Sequence, residues 1–294
     1  MCLHRKTLTL LITAVFLSDS AIASETIVFS KRPAQPGDIS IQTIECDLDM
    51  RLLIRQSGQV VQAQNQSIGR KQLRELTILN VGPNAPIQAQ VQYDESSVAL
   101  KTAGSSQDAT AQPPTAQPVT GKSYLVVRDG NALTITYPNG TEPPALEKEI
   151  VRQNMESFGL PNPIANFFDK RQIRVGETVR LPTEVARELL GFPDTVKNIT
   201  QFQLRLSEVK KIEDRQCAIF DIRLIANNAE ENSLKMDLAG SLILEVGTCR
   251  TVAVMLNGPV GASETHGPAA GQFEVASEGT IRVAVHADYT TKSR

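Results

Sequence analysis

From Gln201 to Ala287 apolar and polar residues alternate through run after run. In Gln201–Val209, Phe202, Leu204 and Leu206 are interleaved with Gln203, Arg205 and Ser207, the period-two pattern of a strand with one buried and one wet face. Ala218, Phe220, Ile222 and Leu224 repeat it against Cys217, Asp221 and Arg223. A third run sets Leu234, Met236, Leu238, Leu242, Leu244 and Val246 against Lys235, Asp237, Ser241 and Glu245. Val252, Val254 and Leu256 mark a fourth, and Phe273, Val275, Ile281, Val283 and Val285 a fifth, with Glu274, Glu278, Arg282 and His286 opposite. Asn227-Asn228, Gly247-Thr248 and the Gly/Pro/Ser-rich stretch Asn257–Gly271 supply the turns. Strands this long exceed the usual ~5–6 residues and twist strongly, so the pattern predicts an antiparallel meander coiling toward a half-barrel.

Upstream, the pattern predicts strands at Ile39–Arg55, Gln72–Val81, Ile87–Leu100, Ser123–Arg128 and Ala132–Tyr137. A parity shift near Thr43-Ile44 suggests a bulge in the first, and Asp129-Gly130 signals a hairpin between the last two. Residues 102–121 are rich in Ala, Ser, Thr, Gln and Pro and read as a disordered surface loop. The insert 143–191 is helical. One helix carries Leu146, Ile150, Val151, Met155 and Phe158 and stops at Gly159. A second starts at Pro163 with Ile164, Phe167 and Phe168, and Thr183 caps a third with Val185, Leu189 and Leu190. Each has one apolar stripe that needs a surface, and the sheet offers one. The predicted fold is mainly β (α+β): a long, curved antiparallel sheet or half-barrel wrapping a mid-chain cluster of two or three helices. Residues 39–294 form a single β-rich domain on this reading, behind an extended lead-in, 24–38.

Residues 1–23 read as a signal peptide: His4, Arg5 and Lys6, an apolar core Leu8–Leu17, then Ala21-Ile22-Ala23 as the cleavage site. The core is too short for a spanning helix, which needs ~20 residues. The expected localisation is extracytoplasmic, periplasmic or secreted, as a chain that does not span a membrane. With Arg5, Lys6 and Asp19 gone, the formal charge moves from −2 to −3. No basic stripe interleaved with aromatics appears, so a nucleic-acid partner is not expected. Trp is absent, which disfavours a stacking platform.

Of the four Cys, Cys2 leaves with the signal. Cys46 shares the apolar side of its strand with Ile44, Leu48 and Met50. Export favours a Cys217–Cys249 disulfide. A plain meander opposes it, because an intervening strand separates the two by at least about 9.6 Å, against a Cα limit of about 7 Å for a bridge.

Chemistry-bearing motifs are scarce. Cys-x-x-Cys, His-Glu-x-x-His, Gly-x-Ser-x-Gly and phosphate-cradling Gly loops are missing, so neither a metal nor a cofactor is expected. Ser263-Glu264-Thr265-His266 holds acid-base side chains, but catalytic triads draw on distant elements and neighbours on a loop rarely converge. His286 reads as a surface residue, and Glu208, Asp214, Asp221, Asp237 and Glu245 as cross-strand ion-pair partners. Catalysis is not expected.

The stretches RDGNALTITYPNGTEPP, IVRQNMESFGLPNPIANFFDKRQIRVGETVRLP and CRTVAVMLNGPVGASET resemble a group of uncharacterised exported bacterial proteins, from about Lys122 onward. That resemblance implies export and no particular activity. The expected architecture is similar to the half-barrel of periplasmic lipoprotein carriers, which implies a concave apolar face able to hold acyl chains.

Two functions follow. The first is a binding or carrier module for an apolar, lipid-like ligand, on a face formed by Phe202, Leu204, Leu206, Phe220, Ile222, Leu224, Leu242, Leu244, Val252 and Val254. The alternative is a non-catalytic structural or protein-interaction scaffold of the cell envelope, with an envelope protein as partner on a sheet edge or the long loop. An ordinary dry core accounts for the same apolar residues without any ligand.

Overall fold

The computed structural model describes residues 25–83, 85–103, 113–190, 199–227, 234–267 and 272–291. Residues 1–23, read above as a signal peptide, and the residues around Asn228 lie outside them.

A two-stranded sheet pairs β1 (Thr26–Val28) with β8 (Gln172–Arg174). Everything else joins one antiparallel sheet of twelve strands. Its early half holds β2 (Asp38–Gln56), β3 (Gln59–Val81), β4 (Pro86–Ala103), β5 (Thr115–Ala116), β6 (Lys122–Asp129) and β7 (Ala132–Thr136). Its late half holds β9 (Thr178–Arg180), β10 (Ile199–Ile212), β11 (Arg215–Asn227), β12 (Lys235–Glu245), β13 (Thr251–His266) and β14 (Phe273–Thr291). The order is β7-β6-β4-β3-β2-β14-β13-β12-β11-β10-β9, with β5 beside β4. The last strand pairs with the first long one over Phe273–Thr291 and Gln56–Asp38, fusing the halves. The sheet stays open, with β7 and β9 at its ends. Along the chain α1 (Ala145–Asn154) and α2 (Pro163–Phe168) lie between β7 and β8, and α3 (Thr183–Leu190) lies between β9 and β10.

Local chemistry sets the joints. Ser57-Gly58 and Glu213-Asp214 are two-residue loops in which both residues have positive φ, the backbone that matches strand twist in a tight hairpin. Gly130-Asn131 closes the expected β6–β7 hairpin. The expected bulge near Thr43-Ile44 is absent, since pairing there is continuous on both sides; the irregularity in the β2–β3 pairing is the extra residue Val61 of β3, opposite Ile54 and Arg55. The stretch read as a long loop, Asn257–Gly271, is mostly strand: β13 runs through Gly258, Pro259 and Gly261 to His266. Gly258 is required there, because a Cβ would sit 2.1 Å from the Asp237 carbonyl oxygen. Residues 59–71, which lack apolar alternation, extend β3 because β2 pairs along them and β4 joins from Asn65 onward. Of the expected loop 102–121, residues 104–112 are outside the described set. Residues 113–121 are tied down: Val119 is fully buried, and Gln117 and Thr120 hydrogen-bond Ser96.

Both cores lie on one face of the sheet, here called inner. The helices divide between them. Over β8–β12 pack α2, α3 and Phe29, with Phe29, Phe168 and Phe220 in mutual ring contact at 4.9–6.0 Å. Over β3, β4, β6 and β7 packs α1, through Val151, with Met155 and Phe158 just beyond its end. Its inward residue near the start is Glu147, while Leu146 is exposed, the reverse of the expected stripe. The outer face carries Glu45, Asp47, Asp49, Arg51, Lys71, Arg282 and His286, with Leu53 and Ala276 as a small buried pair.

Candidate functional site

Each inner row can be read across the strands from the pairing register. One row runs Val98, Arg70, Cys46, Val283, Leu256, Gly240, Ile222, Leu204. The row beside it runs Ser96, Gln72, Ile44, Val285, Val254, Leu242, Phe220, Leu206. At the β10–β12 end of these rows, the residues expected to line an apolar face are core. Phe202, Leu204, Leu206, Phe220, Ile222, Leu224, Leu242, Leu244 and Val252 are all buried, and Val254 is half-buried at the margin. Most of them pack in the core that α2, α3 and β1 complete, so the chain covers them itself.

The open part of the face lies nearer the middle. Ile44 and Cys46 on β2, Ile68 on β3, and Val283 and Val285 on β14 are half-buried and belong to neither core. The helices make their sheet contacts at the ends, α1 on β7 and α3 on β10. Leu48, Met50, Ile281 and Val254 join this apolar strip to the phenylalanine core.

Toward β4 the strip meets a polar patch. Arg70, Gln72 and Arg74 share the inner face of β3, with Gln42 of β2 alongside. The Arg74 Nε donates to Gln42 Oε1 at 2.9 Å and its Nη1 to the Asn154 carbonyl at 2.9 Å, at the end of α1. Arg70 Nη2 donates to Asn154 Oδ1 at 2.5 Å, while its buried Nε has no partner. Gln72 is buried and donates to Ser96 Oγ at 3.2 Å. Burial holds the Arg74 guanidinium below its usual value, against interactions with Tyr93 that raise it, and the adjacent Arg70 lowers it further. Among the described residues no carboxylate lies within ion-pair distance of Arg70 or Arg74. The sequence reading missed this patch because Gly69-Arg70-Lys71 looks like a solvated charge run. The available signal was parity: Arg70 and Arg74 fall in phase with Ile68, Leu76 and Ile78.

A second polar cluster pins α1. Glu147 Oε2 accepts from the Tyr124 and Tyr137 hydroxyls at 2.6 and 2.7 Å, and Oε1 accepts from Lys122 Nζ at 2.6 Å. Burial raises the carboxyl pKa, but these three donors outweigh it and leave it lowered.

The other sequence candidates stay apart. Ser263-Glu264-Thr265-His266 is strand, so alternation puts Ser263 and Thr265 on the face opposite Glu264 and His266. His266 Nε2 lies 3.4 Å from Glu264, and its ring stacks on Phe273, which is more exposed than the expected inward position. Cys217 and Cys249 are separate free thiols, both buried. His286 is on the outer face, 3.3 Å from Asp288. Asp237 pairs across strands with Arg223, whereas Glu208 and Asp214 pair with the nearby Lys210 and Lys211. Among the described residues no three His, Cys, Asp or Glu gather as a metal would require, and no helix is long and apolar enough to cross a membrane.

No family model matches the chain, and no curated protein matches it. One similar solved structure is described as "lipid-protein interactions in lipovitellin", with a TM-score of 0.41 and 10% identity. The similarity covers 88% of this chain but 26% of that one, so the chain spans about a quarter of its length. A likeness at this level carries no weight for ligand or function.

Proposed function

We propose that the chain is an exported, non-catalytic binding or carrier module for an apolar, lipid-like ligand, held on the inner face between its two cores. The carrying observation is the strip formed by Ile44, Cys46, Ile68, Val283 and Val285, apolar yet left half-buried by the chain's own helices. Apolar surface left this way gains free energy from any apolar partner, at about 25 cal/mol per Å² covered. The polar groups beside it, Arg70, Gln72, Arg74 and Gln42, donate hydrogen bonds but include no general base.

The test is a titration with the neutral dye N-phenyl-1-naphthylamine. The dye should brighten on the native protein, and Val283→Arg, which places a charge in the strip at a residue outside both cores, should abolish the gain. Brightening that survives in a folded Val283→Arg protein, or no brightening of the native protein, would sink the reading.

The scaffold reading has one observation behind it. The β10 edge pairs with β9 only over Gln203–Arg205, so among the described residues its Ser207–Ile212 portion lies open to strand addition. Proline at Lys210 should abolish any self-association or partner capture that uses this edge.

A further inference from the structure

Resting on the carrier reading, we infer that the ligand is a single-chain amphiphile with a compact anionic head, the head seated on Arg70 and Arg74 and the alkyl chain lying along the Cys46–Val283 row.

Three observations carry this. The first is uncompensated charge. Both guanidinium groups sit on the inner face of β3, half-buried, and no described carboxylate pairs with either. Most other half-buried arginines in this chain are matched: Arg55 holds Glu274 and Glu278, Arg215 holds Glu213, and Arg250 holds Asp38, whereas Arg128 bonds the backbone carbonyls of Asn131, Glu156 and Phe158 and so leaves no donor arm waiting. A purely structural role for the pair is as a cap on α1, since both reach Asn154. The end of a helix offers only about half a negative charge, so more than one positive charge is left over. Desolvated cations without a counter-charge are costly, and a bound anion removes that cost.

The second is geometry of donors. Arg70 Nε is buried, unpartnered and part of a fork suited to two parallel bonds to a carboxylate or phosphate oxygen pair. Asn154 and Gln42 already hold the other arms of the two side chains, so the forks are fixed before a ligand arrives.

The third is continuity. Arg70 is paired directly with Cys46, which is paired with Val283, and that with Leu256. Two strand spacings of ~4.8 Å give an open apolar track of about 10 Å from the charged head site to Val283, ending against Leu256 of the phenylalanine core. A free anion would use the arginines but not the track. A neutral lipid would use the track and leave the arginines unmatched.

The experiment measures displacement of N-phenyl-1-naphthylamine from the full mature chain by dodecanoate, dodecanol and inorganic phosphate. Dodecanoate is expected to bind roughly tenfold or more tighter than dodecanol, the scale of charge-assisted hydrogen bonds. Phosphate alone should displace no dye. Arg70→Gln should erase the preference for dodecanoate while leaving dodecanol unchanged. Arg74→Gln should do the same, and because Arg74 also caps α1, its folding is checked by circular dichroism. Arg70 makes only a side-chain bond to Asn154, so Arg70→Gln stays informative if Arg74→Gln unfolds. Equal binding of dodecanoate and dodecanol overturns the head site while leaving the carrier reading standing. Failure of both to displace the dye overturns both. A dodecanoate preference that survives Arg70→Gln and a folded Arg74→Gln overturns the assignment to these two residues.

Discussion

The two ends of the inner face are covered by different means. At the β8–β12 end, Phe29, Phe168 and Phe220 interlock under α2 and α3, and the buried residues there are uniformly apolar. At the β3–β7 end, the rings are Tyr93, Tyr124 and Tyr137, and the helix above them is held by a buried carboxylate. Apolar packing fills space but does not fix a particular partner, whereas a satisfied polar cluster fixes α1 in one place. That fixed helix is what presents Asn154 to Arg70 and Arg74. The polar end is thus the one that shapes the border of the open strip, and the aromatic end mainly holds the sheet together.

The largest loss of stability is expected at the phenylalanine end. Phe220→Ala removes a fully buried ring that touches two others, and should cost about 3–5 kcal/mol. Urea unfolding followed by circular dichroism measures it. A loss below that of Tyr124→Phe, expected at about 1–2 kcal/mol for one hydrogen bond to a buried carboxylate, would reverse the comparison.

The seam between the halves comes next. Gly279 sits where β14 pairs with β2, and a Cβ there would lie 1.9 Å from the Asp49 carbonyl oxygen. Gly279→Ala should destabilise by about 1–3 kcal/mol, through overpacking against backbone that cannot swing aside. Because the strip crosses the same seam, dye binding should weaken in the folded fraction as well. Unchanged stability would mean that the two ends are less tightly joined than the continuous register implies.

The late sheet was legible because Phe202, Leu204, Leu206 and their counterparts alternate without interruption, and a strand half-buried on one side can hardly produce another pattern. Alternation failed where pairing rather than burial makes the strand. Gln59–Lys71 and Asn257–His266 are rich in Gln, Gly and Ser, yet β2 pairs along the first and β14 along the second, with β4 and β12 joining over part of each. It failed again at α1, where Leu146 looked inward and Glu147 outward. Three donors, Lys122 and Tyr124 of β6 and Tyr137 just past β7, reverse the two and are invisible in a local window. The candidate apolar face suffered from the same cause. The sequence identifies which residues of a strand face inward, but not which of them α2 and α3 cover, so the self-covered Phe220 and the uncovered Val283 look alike.

The carboxylate offers a smaller test with a definite pH signature. The Glu147 pKa is lowered from its ordinary 4.5 in the folded chain, so its contribution is fully present above the unfolded value and is lost as pH falls through the folded one. Glu147→Gln should cost about 1–3 kcal/mol at pH 7 and flatten the decline of stability below about pH 4.5. Asp38, also lowered, keeps some acid sensitivity in the variant. Thermal unfolding between pH 3 and 7 gives both curves. Parallel curves would show that the tyrosine end is not pinned by charge.

The smallest effect concerns the strip between the ends and involves no change in stability. Cys46 is half-buried in the strip, while Cys217 and Cys249 are buried at the phenylalanine end. Burial raises all three thiol pKa values, Cys249 to about 11, so access decides the order of modification. Iodoacetamide should label Cys46 first, and the other two only on the timescale of unfolding, as read by peptide mass spectrometry. Saturation with dodecanoate should slow Cys46 alone, because an alkyl chain on the Cys46–Val283 row covers that sulfur and leaves the core thiols as they were. Equal protection of all three would point to global stabilisation, and no protection would place the chain elsewhere on the protein.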